Sequence, residues 1–177
     1  MIYAKAKTAA RVNVASLTQF LALAGVVTIL PFFIHMQWVT GPLVNAILVL
    51  VLFLVGVKSA MVLSFIPSMV AMSSGLLPAI LAPVVPFIML SNVIFVLSID
   101  FVYNRMKDNN KGFWVGALVA SLLKFIFLLS SVSLISNLLL KSELAIKVSQ
   151  MMSWPQFATA MTGSMLAWMI LKYLRRI

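Results

Sequence analysis

The sequence has no cysteine, one histidine and three acidic residues in 177 positions. Without cysteine the chain can form no disulfide bond, no thiolate metal site and no cysteine nucleophile. One imidazole and three carboxylates are too few for most hydrolytic or metal-dependent chemistry. Walker and GxGxxG motifs, which bind nucleotide phosphates, are also absent. The sequence therefore predicts a protein that is not an enzyme, with no catalytic residues, no metal site and no cofactor.

Charge is scarce as well: charged residues make up 9% of the chain, against 63% hydrophobic residues and a mean hydropathy of +1.14. This balance is typical of integral membrane proteins. The net charge of +10 does not indicate a nucleic-acid partner, because the basic residues form short clusters between apolar runs. At this length we predict one all-α membrane domain over residues 1–177, with no soluble module.

Six apolar runs predict six transmembrane helices. They cover roughly residues 12–34, 42–57, 60–74, 84–103, 112–140 and 154–174. Pro42 is predicted at the start of the second span, because proline suits a first helical turn. Lys58 and Ser59 are predicted to form the turn after it. Residues 141–153 are amphipathic and are predicted to lie at the membrane surface.

The stretch from Trp38 to Asn92 is mostly apolar and carries a single charge, Lys58, yet it holds five of the seven prolines. Proline inside an apolar run breaks or kinks a helix and frees backbone carbonyls. In a membrane those carbonyls must be satisfied by neighbouring helices or by a wet cavity. We therefore predict broken or kinked helices around an internal site. Residues 75–86, between spans three and four, are predicted to form a hairpin or a re-entrant half-helix.

The basic residues predict the orientation of the chain. With both termini cytoplasmic, ten of the thirteen basic residues lie on the inner side, two lie on the outer side and Lys124 lies within a span. The inner residues are Lys5, Lys7, Arg11, Lys58, Arg105, Lys107, Lys111, Lys172, Arg175 and Arg176, and the outer pair is Lys141 and Lys147.

Polar side chains then concentrate in the outer halves of the spans, which predicts a cavity on the outer side. Serines and threonines there can simply bond to their own helices, but buried amides need several partners. Lys124 is about 18 Å along its span, counted from Gly112 at 1.5 Å per residue. An ammonium at that depth costs several kcal/mol unless it pairs or lines water. Either a ligand or a structural partner such as a cluster of carbonyls would satisfy it.

Two blocks of sequence carry a resemblance to a known family. TGPLVNAILVL (40–50) and PSMVAMSSGLLPAILAPVVPFIMLSN (67–92) resemble a subgroup of the substrate-binding S components of energy-coupling factor (ECF) transporters, a subgroup of unassigned substrate. The resemblance implies a multi-pass protein of the bacterial cell membrane. It would capture a vitamin-like micronutrient from outside and dock on a transmembrane coupling protein that sits on two cytoplasmic ATPases.

The resemblance also implies where substrate and partner bind. The ligand site of the family draws on the loop after span one and on spans four to six. With the amide of span two, the candidate substrate-binding residues here are His35, Gln37, Trp38, Asn45, Asn92, Lys124, Asn137 and Gln156. The docking signature of the family, Ala-x-x-x-Ala, matches Ala6 and Ala10. Lys124 indicates an anionic substrate, and the aromatic side chains near the outer mouth indicate a ring-bearing one.

The sequence leaves two alternatives of different classes. A membrane enzyme is disfavoured by the scarcity of acidic residues, histidine and cysteine. A six-span membrane scaffold, like the cell-shape protein MreD, has this size and binds proteins rather than small molecules. The lysine within a span and the outer asparagines favour a ligand, because a scaffold does not need them.

Overall fold

The computed structural model describes residues 14–34, 36–75, 79–139 and 149–177. All regular secondary structure in these residues is helical, which confirms the predicted all-α class. The helices are α1 (Val14–Phe33), α2 (Gln37–Leu54), α3 (Val57–Leu63), α4 (Ile66–Ser73), a 3-10 helix (Ala79–Val84), α5 (Val85–Arg105), α6 (Asn109–Leu139) and α7 (Trp154–Tyr173). Of the predicted elements, Ala6, Ala10, His35 and most of segment 141–153 lie outside the described residues.

Helix α2 is the centre of the structure. Seven consecutive residues, Ala46 to Leu52, are all buried, each at most 7% exposed. A helix that is apolar all round can be accommodated only where neighbours surround it. Helix α2 contacts α1, α3, α5 and α7, and its most extensive packing is against α7. The predicted span two is thus the central helix of the bundle.

The boundaries of α2 differ from the prediction. The helix begins at Gln37 and runs through Pro42, which stands in its second turn rather than at its start. The predicted turn at Lys58 and Ser59 is wrong, since both residues belong to α3. The chain turns instead at Gly56, whose φ of +124° lies in a region that residues with a Cβ rarely adopt. A glycine in an apolar run, not the charged residue two positions later, determines where α2 ends.

The third predicted span is broken into two helices. Helix α3 ends at Leu63 and α4 begins at Ile66, with Pro67 in the first turn of α4. Proline is tolerated there because the first N–H groups of a helix have no intrahelical partner. After α4, residues 76–78 are not described, but the 3-10 helix at 79–84 leads directly into α5. The choice between a hairpin and a re-entrant segment at 75–86 stays a prediction.

Aromatic contacts show the relative directions of four helices. Ring centroids lie 5.2 Å apart for Trp38–Trp154, 4.8 Å for Phe53–Tyr103 and 5.4 Å for Trp114–Trp168. The first pair joins the starts of α2 and α7, and the second joins the ends of α2 and α5. The third joins the start of α6 to the end of α7. Helices α2, α5 and α7 therefore run in one direction and α6 runs in the other.

Two helical stretches, Ala82–Arg105 and Asn109–Ser133, are long and apolar enough to cross a membrane, and three shorter stretches are also apolar. Helix α5 has 21 residues, which gives a length of about 32 Å, close to the roughly 30 Å of a bilayer core. Only 39% and 44% of the two stretches are buried, whereas the core helix of a soluble protein is mostly buried. Large apolar side chains such as Phe101 and Ile126, 59% and 54% exposed, cover their outer faces.

Small residues allow the closest helix crossings. A Cβ at Gly163 of α7 would lie 2.6 Å from the carbonyl oxygen of Pro42 and 2.7 Å from the Cβ of Asn45, both on α2. A Cβ at Gly116 of α6 would lie 3.3 Å from the carbonyl oxygen of Ile99 on α5. Gly163/Ala167 and Gly116/Ala120 are pairs of small residues four positions apart, a spacing that permits such close approach between helices.

Candidate functional site

Lys124, at the midpoint of α6, makes two hydrogen bonds to residues far away in the sequence. The side chain is 2% exposed. Its Nζ donates hydrogen bonds to Oδ1 of Asn45, at 2.7 Å, and to Oδ1 of Asn92, at 2.8 Å. Asn45 lies on α2 and Asn92 on α5, so three helices meet at one ammonium group. Three residues that the sequence singled out, far apart along the chain, are thus in direct contact.

The two amide groups are themselves held in orientation. Nδ2 of Asn45 donates to the carbonyl oxygen of Gly41, at 2.9 Å, one turn earlier in α2. Nδ2 of Asn92 donates to the carbonyl oxygen of Ser64, at 3.3 Å, in the break between α3 and α4. Each amide therefore directs its nitrogen at a backbone carbonyl and its oxygen at Lys124, the orientation that a cation requires. The break in the third predicted span provides one of these acceptors.

No carboxylate among the described residues pairs with this ammonium. Asp100 accepts a hydrogen bond from Nδ2 of Asn104, at 3.1 Å. Asp108 accepts from two backbone N–H groups at the start of α6 and lies 3.9 Å from Nζ of Lys111. The remaining acid, Glu143, is outside the described residues. Near Lys124 the other favourable contact is the ring of Phe95, whose centroid is 5.3 Å from Nζ. Amide dipoles and a ring face solvate the charge without neutralising it.

Lys124 lines a cavity of about 110 Å³. This volume is smaller than the engineered cavity of about 150 Å³ that binds benzene, so it suits several water molecules or one compact organic group. The lining residues are Thr40, Gly41, Val44, Asn45, Pro67, Ser68, Ala71, Ile88, Asn92, Lys124, Met151, Met152 and Gln156. Four of the thirteen come from the block at 40–50 and five from the block at 67–92. The two blocks that carry the resemblance to ECF S components therefore form most of the cavity wall.

The polar side chains around the cavity differ in how many of their hydrogen-bonding groups have a partner. Oγ1 of Thr40 donates to the carbonyl oxygen of Met36, at 3.2 Å. Ser68 on α4 is buried, at 3% exposure, lines the cavity and donates no side-chain hydrogen bond to any of the described residues. Nε2 of Gln156 donates to the carbonyl oxygen of Met151, at 3.3 Å, and no donor to its amide oxygen is found in the described part of the chain. Ser68 and Gln156 thus have bonding capacity for a bound molecule.

The structure brings four of the eight predicted substrate-binding residues to the cavity: Asn45, Asn92, Lys124 and Gln156. Trp38 is 52% exposed and packs against Trp154 near the starts of α2 and α7, beside the cavity-lining residues Thr40 and Gln156 rather than in the wall. Gln37 and Asn137 lie in described helices, but their side chains are not described, and His35 is outside the described residues.

Sequence reasoning missed Ser68, Met152 and the ring of Phe95 as site residues. Ser68 directly follows Pro67 in the second of the two blocks, and that position was the available signal. Phe95 lies three residues after Asn92 on the same face of α5, but an apolar residue in an apolar helix carries no signal of its own.

Comparisons of the chain with protein-family models, with curated proteins and with solved structures found no match. In the described residues, the fold and the site together define an all-helical protein with many exposed apolar side chains and a buried lysine that faces a small cavity without an acidic partner.

Proposed function

We propose that this protein is the substrate-binding membrane subunit of an uptake system, equivalent to an ECF S component, which captures a small micronutrient from outside the cell. The observation that carries the proposal is the buried Lys124, held by Asn45 and Asn92 at 2.7 and 2.8 Å and exposed to a cavity. An ammonium inside apolar surroundings is costly, so membrane proteins keep one mainly where it binds, transports or pairs with something.

The surface of the molecule supports a membrane setting. Many large apolar side chains are exposed, while eleven polar residues, Lys124 among them, are buried in the described part of the chain. The opposite directions of α6 and of α2, α5 and α7 are those that a six-span bundle with both termini on one side requires. The distribution of basic residues favours the cytoplasm for that side. We propose a multi-pass protein of the bacterial cell membrane with this topology.

Energy for transport would come from partner proteins. The sequence has no nucleotide-binding motif and no acidic residue near the middle of a span that could relay protons. The proposed partners are therefore a transmembrane coupling protein and two cytoplasmic ATPases, with docking through Ala6 and Ala10, which precede the first span in the sequence. Nucleic acid has no part in this function.

Native mass spectrometry of the purified full-length protein tests the proposal. We expect wild type to retain a small molecule and Lys124→Met, which keeps the length of the side chain and removes its charge, to lose it. Lys58→Met, which removes an exposed charge from α3, is the matched control and should retain the molecule.

The same preparation distinguishes the alternative function. If wild type retains no small molecule and copurifies with no ATPase module, substrate binding for ATP-driven uptake is refuted. Copurification with cell-shape or division proteins instead would favour the six-span scaffold.

A further inference from the structure

We propose that the cavity binds the carboxylate group of a compact, largely apolar monoanion, with Lys124 and Ser68 as its two donors. This inference rests on the proposed function and specifies the chemical class of the substrate.

The charge of the site favours an anion. Lys124 has two neutral oxygen acceptors and a ring face, and no acid among the described residues pairs with it. In surroundings of low dielectric constant, an unneutralised cation attracts an anion far more strongly than in water. A neutral ligand would leave that charge as it is, and a cation would be repelled. An anionic group is the ligand that this site favours.

The number of hydrogen-bond donors available to a ligand favours a carboxylate. An ammonium group has three N–H donors, and Asn45 and Asn92 accept two of them. The third N–H has no partner among the described residues. Ser68 lines the same cavity, and its hydroxyl group donates no hydrogen bond to any of the described residues. Two free donors suit the two oxygens of a carboxylate. They are too few for a phosphate, which carries more charge and for which proteins use arginine or several backbone N–H groups.

The remaining residues of the cavity wall are mostly apolar and favour a compact apolar ligand. Val44, Ala71, Ile88, Met151 and Met152 present apolar surface to the same cavity. With one cation, a volume of about 110 Å³ and this apolar lining, the cavity fits one negative charge on a compact apolar body. Methionine adapts its shape to different occupants, so the two methionines suit a ring or a branched aliphatic group equally well.

The test compares acids with their neutral amides in the full-length protein. Thermal unfolding is followed by the fluorescence of the four tryptophans, with benzoate, nicotinate and 3-phenylpropionate as probes, each paired with its primary amide. We expect at least one acid to raise Tm in a concentration-dependent way, and its amide to bind about tenfold more weakly or worse, because a charge-assisted bond is lost.

Two variants locate the binding. Ser68→Ala removes one donor and should weaken the acid severalfold, whereas Ser73→Ala, on an exposed serine of the same helix, should not. Asn92→Asp places a carboxylate next to Lys124, so that the site neutralises itself, and it should abolish acid binding while the fold is kept. Acid binding that survives in Asn92→Asp would overturn the proposal.

Two further results would also refute it: no stabilisation by any of the three acids, or equal stabilisation by an amide. Native mass spectrometry separates this failure from that of the proposed function. A retained neutral or cationic molecule would keep substrate binding and exclude the carboxylate, whereas the absence of both a retained molecule and a copurified ATPase module would remove both proposals.

Discussion

The hydrogen bond between Lys124 and Asn45 can be measured with a double-mutant cycle. The variants are Lys124→Met, Asn45→Leu and the two combined, each close in size to the residue it replaces. Asn45→Leu alone removes the acceptor at 2.7 Å and leaves the ammonium with Asn92 as its only oxygen partner. In the Lys124→Met background, Asn45→Leu removes no hydrogen bond to an ammonium group. The difference between the two backgrounds in the loss of unfolding free energy caused by Asn45→Leu therefore measures the interaction between the two side chains.

The expected coupling depends on whether the lysine is held as a cation. A hydrogen bond to a charged group contributes about 1.5–3 kcal/mol. Hydrogen bonds between helices in a membrane protein average about 0.6 kcal/mol in such cycles. We expect a coupling energy of about 1.5–3 kcal/mol, because the donor is a buried ammonium group. For a chain of this size each kcal/mol shifts Tm by about 2–4 °C, so Asn45→Leu should lower Tm by roughly 3–12 °C in the lysine background.

The free energy of unfolding is measured by denaturant titration in mixed micelles, with tryptophan fluorescence as the signal. Asn104→Leu serves as the control, since Asn104 is an exposed asparagine bonded to Asp100 rather than to Lys124. In the double variant with Lys124→Met, the changes in unfolding free energy caused by the two substitutions should be additive to within about 0.5 kcal/mol. A coupling between Lys124 and Asn45 of about 0.6 kcal/mol or less would refute the view that the site holds an unneutralised cation.

Two further predictions concern packing and topology. Gly163→Ala inserts a Cβ at 2.6 Å from a backbone oxygen of α2, so it should destabilise the protein by about 1–3 kcal/mol through overpacking. Gly25→Ala, whose Cβ meets nothing within 4 Å, should instead be neutral or stabilising in the same unfolding titration, and equal effects would contradict the tight crossing. A cysteine at Gln150 should react with a membrane-impermeant reagent added outside intact cells. A cysteine at Asn109 should react only after lysis, and the reverse pattern would invert the proposed orientation.

The core of the site could be predicted because its residues are chemically out of place. Asn45, Asn92 and Lys124 are rare polar residues in apolar runs, and the cost of burying each one implies a partner. The sequence did not indicate that they would partner one another, because that contact depends on how α2, α5 and α6 pack. The role of Ser64 was equally inaccessible, since its carbonyl accepts from Asn92 at the break after α3.

The helix boundaries were predicted less well where backbone conformation outweighs polarity. Lys58 and Ser59 are the only polar pair in their neighbourhood and were therefore taken for a turn. The turn instead forms at Gly56, whose positive φ no neighbouring residue adopts as readily. The predicted start of α2 at Pro42 was wrong for a similar reason, because proline is favoured at a helix start but also occurs further into a helix. Helix α2 begins five residues before Pro42, at Gln37.

The position of Lys124 in the chain also has a consequence for how the protein is made. A lysine at the centre of a helix adds about 2.5–3.5 kcal/mol to the cost of inserting that helix into a membrane. Its two acceptors, Asn45 and Asn92, lie on helices that are synthesised before α6. In the proposed multi-pass topology, the oxygens that will solvate its ammonium are already in the bilayer when α6 leaves the ribosome. The order of helices along the chain would then let α2 and α5 assist the insertion of α6, which its buried lysine makes costly.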